Sequence, residues 1–283
     1  MAQPRSLAGK VVVITGGGRG IGAATAEALV RHGAEVAIGD LDLAVAEETA
    51  RRIGATAFPL DVTDLAGFTK FLEEVEGRLG PIDVVVNNAG IMALGPFEDE
   101  SDRSTTRQLE INLHGVIHGT REAIRRMRPR GAGHIVNIAS VAGKAGFPGG
   151  ATYCATKHGV VGLSEAVRGE LRGSGIEVTV VLPSVVRTEL AAGLQDARFV
   201  KAVEAADVAT AIVGALRRPR FEIYVPASLG PVNKLTRLLP RPAAEWVLRV
   251  FKGDQVLNAP ERAARADYEA RAAASAPTTD RDT

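Results

Sequence analysis

The sequence predicts an α/β fold: a doubly wound parallel sheet of seven strands with helices on both faces, followed by a C-terminal extension. Two observations carry this. Short Val/Ile-rich runs alternate with longer Ala-rich stretches, and repeated strand-helix-strand order implies parallel pairing through right-handed crossovers. The runs are also apolar at consecutive positions rather than at every second one, as strands covered on both faces must be.

The elements follow in order. KVVVIT (10–15) leads into a helix from about Gly20 to His32, and EVAIGD (35–40) into LAVAEETARRI (43–53). ATAFPLDV precedes a helix over Leu65 to Leu79, with Asp64 placed to cap it. IDVVVNNAG (82–90) precedes a long helical stretch in 102–128, and GHIVNIAS (133–140) precedes 152–172. IEVTVVLPS (176–184) precedes 205–217, and FEIYVP (221–226) closes the series. Residues 1–226 therefore read as one catalytic domain and 227–283 as an extension. In the extension AAEWVLRVFK is amphipathic, with Trp246, Val247, Val250 and Phe251 on one face, and SAPTTDRDT has the composition of a disordered end.

Composition narrows the function. The chain has 283 residues, 46% apolar and 24% charged, enough for a substantial core. A net charge of +1 gives no field to recruit nucleic acid. The single cysteine, Cys154, excludes an internal disulfide framework and a multi-cysteine zinc site. His114 and His118 lie one helical turn apart but lack an evident third ligand, so no metal is expected. The N-terminal stretch lacks the apolar core of a secretory signal and no uncharged run reaches membrane-span length, so the expected location is the cytoplasm.

TGGGRGIG (15–22) lies between the first strand and the first helix. Glycines let backbone approach a pyrophosphate, and the helix N-terminus adds N–H groups and partial positive charge. Gly16, Gly18, Arg19, Gly20, Ile21 and Gly22 are the candidate phosphate cradle of a Rossmann-type domain. Asp40 ends the second strand, where a carboxylate can accept both hydroxyls of an adenosine ribose and would repel a 2′-phosphate. It argues for NAD over NADP, and Leu41 beside it offers no cation. Arg19 is the counter-signal, since it could reach a 2′-phosphate or neutralise the pyrophosphate instead. Asp61 and Val62, at the end of the third strand, are candidates for the adenine.

Thr15-Gly16-x-x-x-Gly20-x-Gly22, Asn87-Asn88-Ala89-Gly90, Asn112, Ser140 and Tyr153-x-x-x-Lys157 occur in that order, with thirteen residues from Ser140 to Tyr153. In this the chain resembles the short-chain dehydrogenase/reductase family over residues 7 to about 226. The resemblance implies an NAD-dependent alcohol dehydrogenase or carbonyl reductase. It places Asn88, Ala89 and Gly90 near the cofactor riboses, has Asn87 hold strands together, and sets Val186 and Thr188 at the nicotinamide carboxamide. Pro183-Ser184 departs from the family's usual Pro-Gly.

The same resemblance makes Asn112, Ser140, Tyr153 and Lys157 a catalytic tetrad. Tyr153 would be the acid/base, Ser140 would hold the substrate oxygen, Lys157 would also bind the nicotinamide ribose, and Asn112 would bend its helix and support a proton-returning water chain. Tyr153 and Lys157 share a helix face. Lowering a tyrosine pKa by about three units takes roughly 4 kcal/mol, about what an ammonium some 4 Å away supplies at an effective dielectric near 20. The substrate is expected near Ser140, Met92, Leu94, Val141, Phe147 and Val185, and in the segment 189–203 with Leu190, Leu194 and Phe199. These side chains favour a fairly apolar secondary alcohol or ketone: hydroxysteroid-like, terpenoid or lipid-derived. Family members pair through the helices matching 102–128 and 152–172, so a homodimer is expected, with a homotetramer the alternative. The amphipathic piece of the tail permits membrane-surface contact, although packing on the domain is favoured. A regulatory or scaffold protein that binds NAD without turnover is the competing class.

Overall fold

The computed structural model describes residues 3–194, 202–236, 238–240, 242–243, 265 and 268–269. Its centre is a seven-stranded parallel sheet in the order β3-β2-β1-β4-β5-β6-β9. The strands are β1 (Val11–Thr15), β2 (Glu35–Asp40), β3 (Thr56–Pro59), β4 (Ile82–Asn87), β5 (Gly133–Ile138), β6 (Ile176–Pro183) and β9 (Glu222–Val225). A separate two-stranded ribbon pairs β7 (Val186–Arg187) with β8 (Val203–Glu204). The helices are α1 (Gly20–Arg31), α2 (Leu43–Ile53), α3 (Leu65–Leu79), α4 (Asp102–Leu109), α5 (Gly115–Met127), α6 (Ala151–Glu170), α7 (Ala205–Arg217) and α8 (Leu229–Thr236).

Strand residues alternate between two cores. Val12 and Ile14 pack with Leu29 of α1, Ala46 of α2 and Ile212 of α7 on one face. Val11 and Val13 pack with Phe68 and Leu72 of α3, Met127 of α5 and Val167 of α6 on the other. Such two-sided burial produces the unbroken apolar runs in the sequence. Asp42 caps α2, accepting from the Val45 amide, and Asp64 caps α3 as expected, accepting from Ala66.

Three features differ from the sequence expectation. The stretch 102–128 is interrupted by a π turn over Glu110–His114. The ribbon of β7 and β8 is additional, and α8 continues regular structure past Pro226. The amphipathic piece with Trp246 and Phe251, the C-terminal end, Arg198 and Phe199 lie outside the described residues. Among the described residues no helix is long and apolar enough to cross a membrane.

Because β1 is flanked by β2 and β4, the chain turns in opposite directions on either side of it. That switch point opens a crevice at the carboxyl ends of the strands.

Candidate active site

At the switch point the loop after β1 and the loop after β4 are tied together. The Thr15 hydroxyl accepts from the Asn88 and Ala89 amides at 3.0 and 3.1 Å. The Asn88 side-chain amide donates to the Thr15 and Gly16 carbonyls, both at 2.9 Å. The glycines make this approach possible. A Cβ on Gly16 would lie 2.8 Å from the Ala89 Cα, and one on Gly22 would lie 2.3 Å from the Gly16 carbonyl oxygen. Arg19 makes no capping bond to α1, so the first N–H groups of that helix keep their donor capacity for an anion.

Asp40 is fixed by backbone. Its two carboxylate oxygens accept from the Gly18 amide at 2.9 Å and the Asp42 amide at 3.1 Å. Arg19 turns to Asp42, 3.1 Å away. Leu41 is exposed beside Asp40. One oxygen of Asp61 accepts from both the amide and the hydroxyl of Thr63, and Val62 is buried next to it. Asn87 donates to Asn137 at 2.8 Å, joining β4 to β5.

Tyr153 and Lys157 sit one turn apart on the buried side of α6. The Lys157 ammonium donates to the Ile138 carbonyl at 3.0 Å and lies 5.6 Å from the centre of the Tyr153 ring. Ser140 lies beside Tyr153 and lowers its proton affinity; its Oγ accepts from the Ala142 amide and donates to the Pro183 carbonyl. Asn112, fully buried within the π turn, grips Ile91 twice. It accepts from the Ile91 amide and donates to the Ile91 carbonyl, both at 2.8 Å, and it also donates to Thr156 on α6.

Burial shifts the proton affinities of both groups. Burial pushes the Tyr153 phenol well above the ordinary tyrosine value, and the Ser140 hydrogen bond only partly offsets it. Burial likewise pulls Lys157 down to about 8.

A cavity of about 1810 Å³ runs from the glycine loop to the substrate end. Gly16, Arg19, Gly20, Ile21, Asp40, Leu41, Asp61, Val62, Asn88, Ala89 and Gly90 line one part, and Ser140, Tyr153, Lys157, Val186 and Thr188 the middle. Met92, Val141, Phe147, Val185, Leu190 and Leu194 line the far part. Gly18, Gly22 and Asn112 stand behind the wall and shape it. Leu94 packs in the apolar cluster of Met92 and Tyr153 without lining the cavity. Cys154 is buried there too, beside the Phe147 amide. Ser184, where the family departure falls, lines the cavity with a buried hydroxyl that has no hydrogen-bond partner among the described residues.

Several lining residues were not found from sequence: Lys144, Ser228, Leu229 and Val232, and above all Tyr268. Lys144 is engaged by Glu222 at 2.6 Å and Glu165 at 3.3 Å. Tyr268 carried one faint signal, being one of only three tyrosines in the chain.

The short chain dehydrogenase family model matches residues 10–198. Sorbitol dehydrogenase of Cereibacter sphaeroides is 42% identical over 196 residues, covering 68% of this chain and 76% of that protein. "Probable oxidoreductase EphD" of Mycobacterium tuberculosis is 39% identical over 199 residues; the match covers 68% of this chain but only 34% of that longer protein. A short-chain dehydrogenase/reductase crystal structure from Burkholderia phymatum, in complex with NAD, superposes with a TM-score of 0.76 at 27% identity, covering 82% of this chain and 94% of that one. The chain belongs to the short-chain dehydrogenase/reductase family.

Proposed function

We propose that this chain is an NAD-dependent oxidoreductase acting on a secondary alcohol or ketone of apolar character, with Tyr153 as its acid/base. The convergence of Tyr153, Ser140 and Lys157 on one cavity with the glycine loop carries this reading. The nicotinamide, when bound, supplies or accepts the hydride and in its oxidised form adds a positive charge. The residues present fit such a nucleotide. The glycine loop and the α1 N-terminus receive the pyrophosphate, and Asp40 takes the adenosine ribose hydroxyls. Asp61 and Val62 flank the adenine, Asn88, Ala89 and Gly90 border the riboses together with Tyr153 and Lys157, and Val186 and Thr188 meet the carboxamide. Asp40, locked by two backbone amides, repels a 2′-phosphate, and Arg19 is already matched by Asp42. Both favour NAD.

The buried phenol gives the chemistry a direction of readiness. Tyr153 holds its proton, so it can donate to a carbonyl oxygen steadied by Ser140 as negative charge develops there. In the opposite direction Tyr153 must first lose that proton, which requires positive charge beyond Lys157. Lys157, pulled to about 8, exchanges protons readily near neutral pH. Asn112 holds the Ile91 loop and α6 in register beside it. The apolar far wall of Met92, Phe147, Leu190 and Leu194 suits a hydroxysteroid-like, terpenoid or lipid-derived substrate. The single thiol, buried and free, fits a cytoplasmic setting. The exposed side of α6 carries Ala151, Ala155, Gly162, Ala166 and Gly169 among His158, Glu165, Arg168 and Glu170, and its small residues leave room for a second copy, so the proposed assembly is a homodimer.

The test follows absorbance of the reduced nicotinamide with NAD and NADP against apolar alcohols, using wild type and Tyr153→Phe. Turnover with NAD, lost at least about a thousandfold in Tyr153→Phe, is expected. Preference for NADP would overturn the assignment of Asp40. Tight NAD binding with no turnover on any alcohol would favour a regulatory nucleotide-binding protein.

A further inference from the structure

The family match ends at residue 198, yet Tyr268, far beyond it, lines the substrate end of the cavity, with Arg265 packed behind it. Arg265 is fully buried. Its guanidinium donates to the Met92 carbonyl at 2.7 Å and to the Leu190 and Ala192 carbonyls at 3.1 Å each. Its Nε donates to Glu269 at 3.1 Å, and the guanidinium lies 5.1 Å from the centre of the Tyr268 ring. The Tyr268 hydroxyl accepts from the Met92 amide at 2.7 Å. Both backbone polar groups of Met92 are therefore held from the C-terminal extension.

These contacts tie together two walls of the cavity through their backbones. Met92 belongs to the loop after β4, while Leu190 and Ala192 follow β7. A buried guanidinium is costly unless its donors are matched, and here its planar fork spans three carbonyls and a carboxylate. Tyr268 lines the cavity beside the apolar cluster of Met92, Phe147, Leu190 and Tyr153. It is near enough to Tyr153 to affect the proton affinity of that phenol.

We propose that Tyr268 is a specificity-determining residue that closes the substrate end of the cavity with its ring, and that Arg265 is the positioning residue that clamps it to Met92 and to the 190–192 wall. This rests on the oxidoreductase reading and adds that substrate size is set by the extension. The Tyr268 ring narrows that end, so its removal favours the larger of two alicyclic ketones.

The test uses the full chain with reduced nicotinamide nucleotide and two probes, cyclohexanone and 2-decalone. Tyr268→Ala is expected to raise the 2-decalone to cyclohexanone ratio of kcat/KM by about tenfold, chiefly through KM, with nucleotide affinity unchanged within about twofold. Tyr268→Phe keeps the ring, so the ratio holds, but hydrogen exchange at the Met92 amide quickens about tenfold through loss of its acceptor. Arg265→Lys, which cannot span three carbonyls, is expected to shift the ratio as Tyr268→Ala does. Equal loss on both ketones in Tyr268→Ala, or an unchanged ratio, would overturn the proposal. If wild type reduces neither ketone with either nucleotide, the oxidoreductase reading loses its support. The wall is then judged by exchange alone: Tyr268→Phe must still expose the Met92 amide, and Tyr268→Ala must let 2-decalone protect the Ile91–Ala93 amides more than cyclohexanone does. Failure of either sinks it.

Discussion

At the scale of single residues, burial governs the two groups at the centre of the site. Lys157 is driven down from 10.5 to about 8, and Tyr153 is driven up from 10.0. The unfolded chain therefore binds the Lys157 proton more tightly than the folded one. The cost of burying the ammonium is fully present below about pH 8 and is relieved as pH rises from there towards the unfolded value. Tyr153 has the opposite sign, because its folded form holds the proton longer, but that loss begins only above about pH 10. Nucleotide-free protein should thus gain roughly 2 kcal/mol of unfolding free energy between about pH 8 and 10, and Lys157→Met should flatten that rise. Urea unfolding across the range checks it; an equal rise in both proteins would assign the slope elsewhere. The identities of Tyr153, Lys157, Ser140 and Asn112 were legible in sequence because spacing and order survive without coordinates. Their electrostatics were not, because desolvation depends on what covers α6 from other parts of the chain.

At the scale of elements, the glycine loop shows how a local signal acquires a three-dimensional reason. Gly22 sits within α1 where a Cβ would strike the Gly16 carbonyl at 2.3 Å and the Asn88 amide at 2.7 Å. Backbone cannot yield there as a flexible side chain would. Gly22→Ala should cost about 1–3 kcal/mol and weaken nucleotide binding at least about tenfold. Gly77, inside α3, has nothing within 4 Å of its added Cβ. Gly77→Ala should instead stabilise by about 0.5–1 kcal/mol and leave nucleotide affinity alone. Thermal melting and nucleotide titration of the pair give opposite signs on stability if the loop is shaped by close approach. The seven sheet strands were readable because two-sided burial writes continuous apolar runs. The two-residue strands β7 and β8 were not, since they are too short to show a period. Helix α8 was hidden by Pro231, which is tolerated in its first turn. Arg265 and Tyr268 were invisible for a related reason. Their partners Met92, Leu190 and Ala192 are distant in sequence and are engaged through backbone, which leaves no pattern in side-chain type.

At the scale of the whole molecule, α6 has two faces with different tasks. One buries Tyr153, Lys157, Val160, Val161, Ser164 and Val167 against the sheet. The other exposes Ala151, Ala155, Gly162, Ala166 and Gly169 to solvent, interspersed with His158, Glu165, Arg168 and Glu170. Solvent exposure alone gives no reason to use small residues on a twenty-residue helix, where Gly162 and Gly169 forgo about 1 kcal/mol each relative to Ala. Close approach of a second helix does, since small side chains let two backbones meet and bury the row on both. The proposed two-fold dimer would place each α6 against its copy and brace from outside the helix that carries Tyr153 and Lys157. Ala166→Arg puts a long side chain in the middle of that contact, where a small residue now leaves room for the second helix. It should convert the dimer to a monomer in sedimentation velocity while leaving the folded domain intact by circular dichroism. Activity per chain should fall through a less rigid α6, with kcat affected more than nucleotide affinity because the glycine loop lies on other elements. If wild type already sediments as a monomer, the small-residue face has another occupant. If Ala166→Arg remains dimeric, the contact runs through a different surface and α6 is braced by the domain alone.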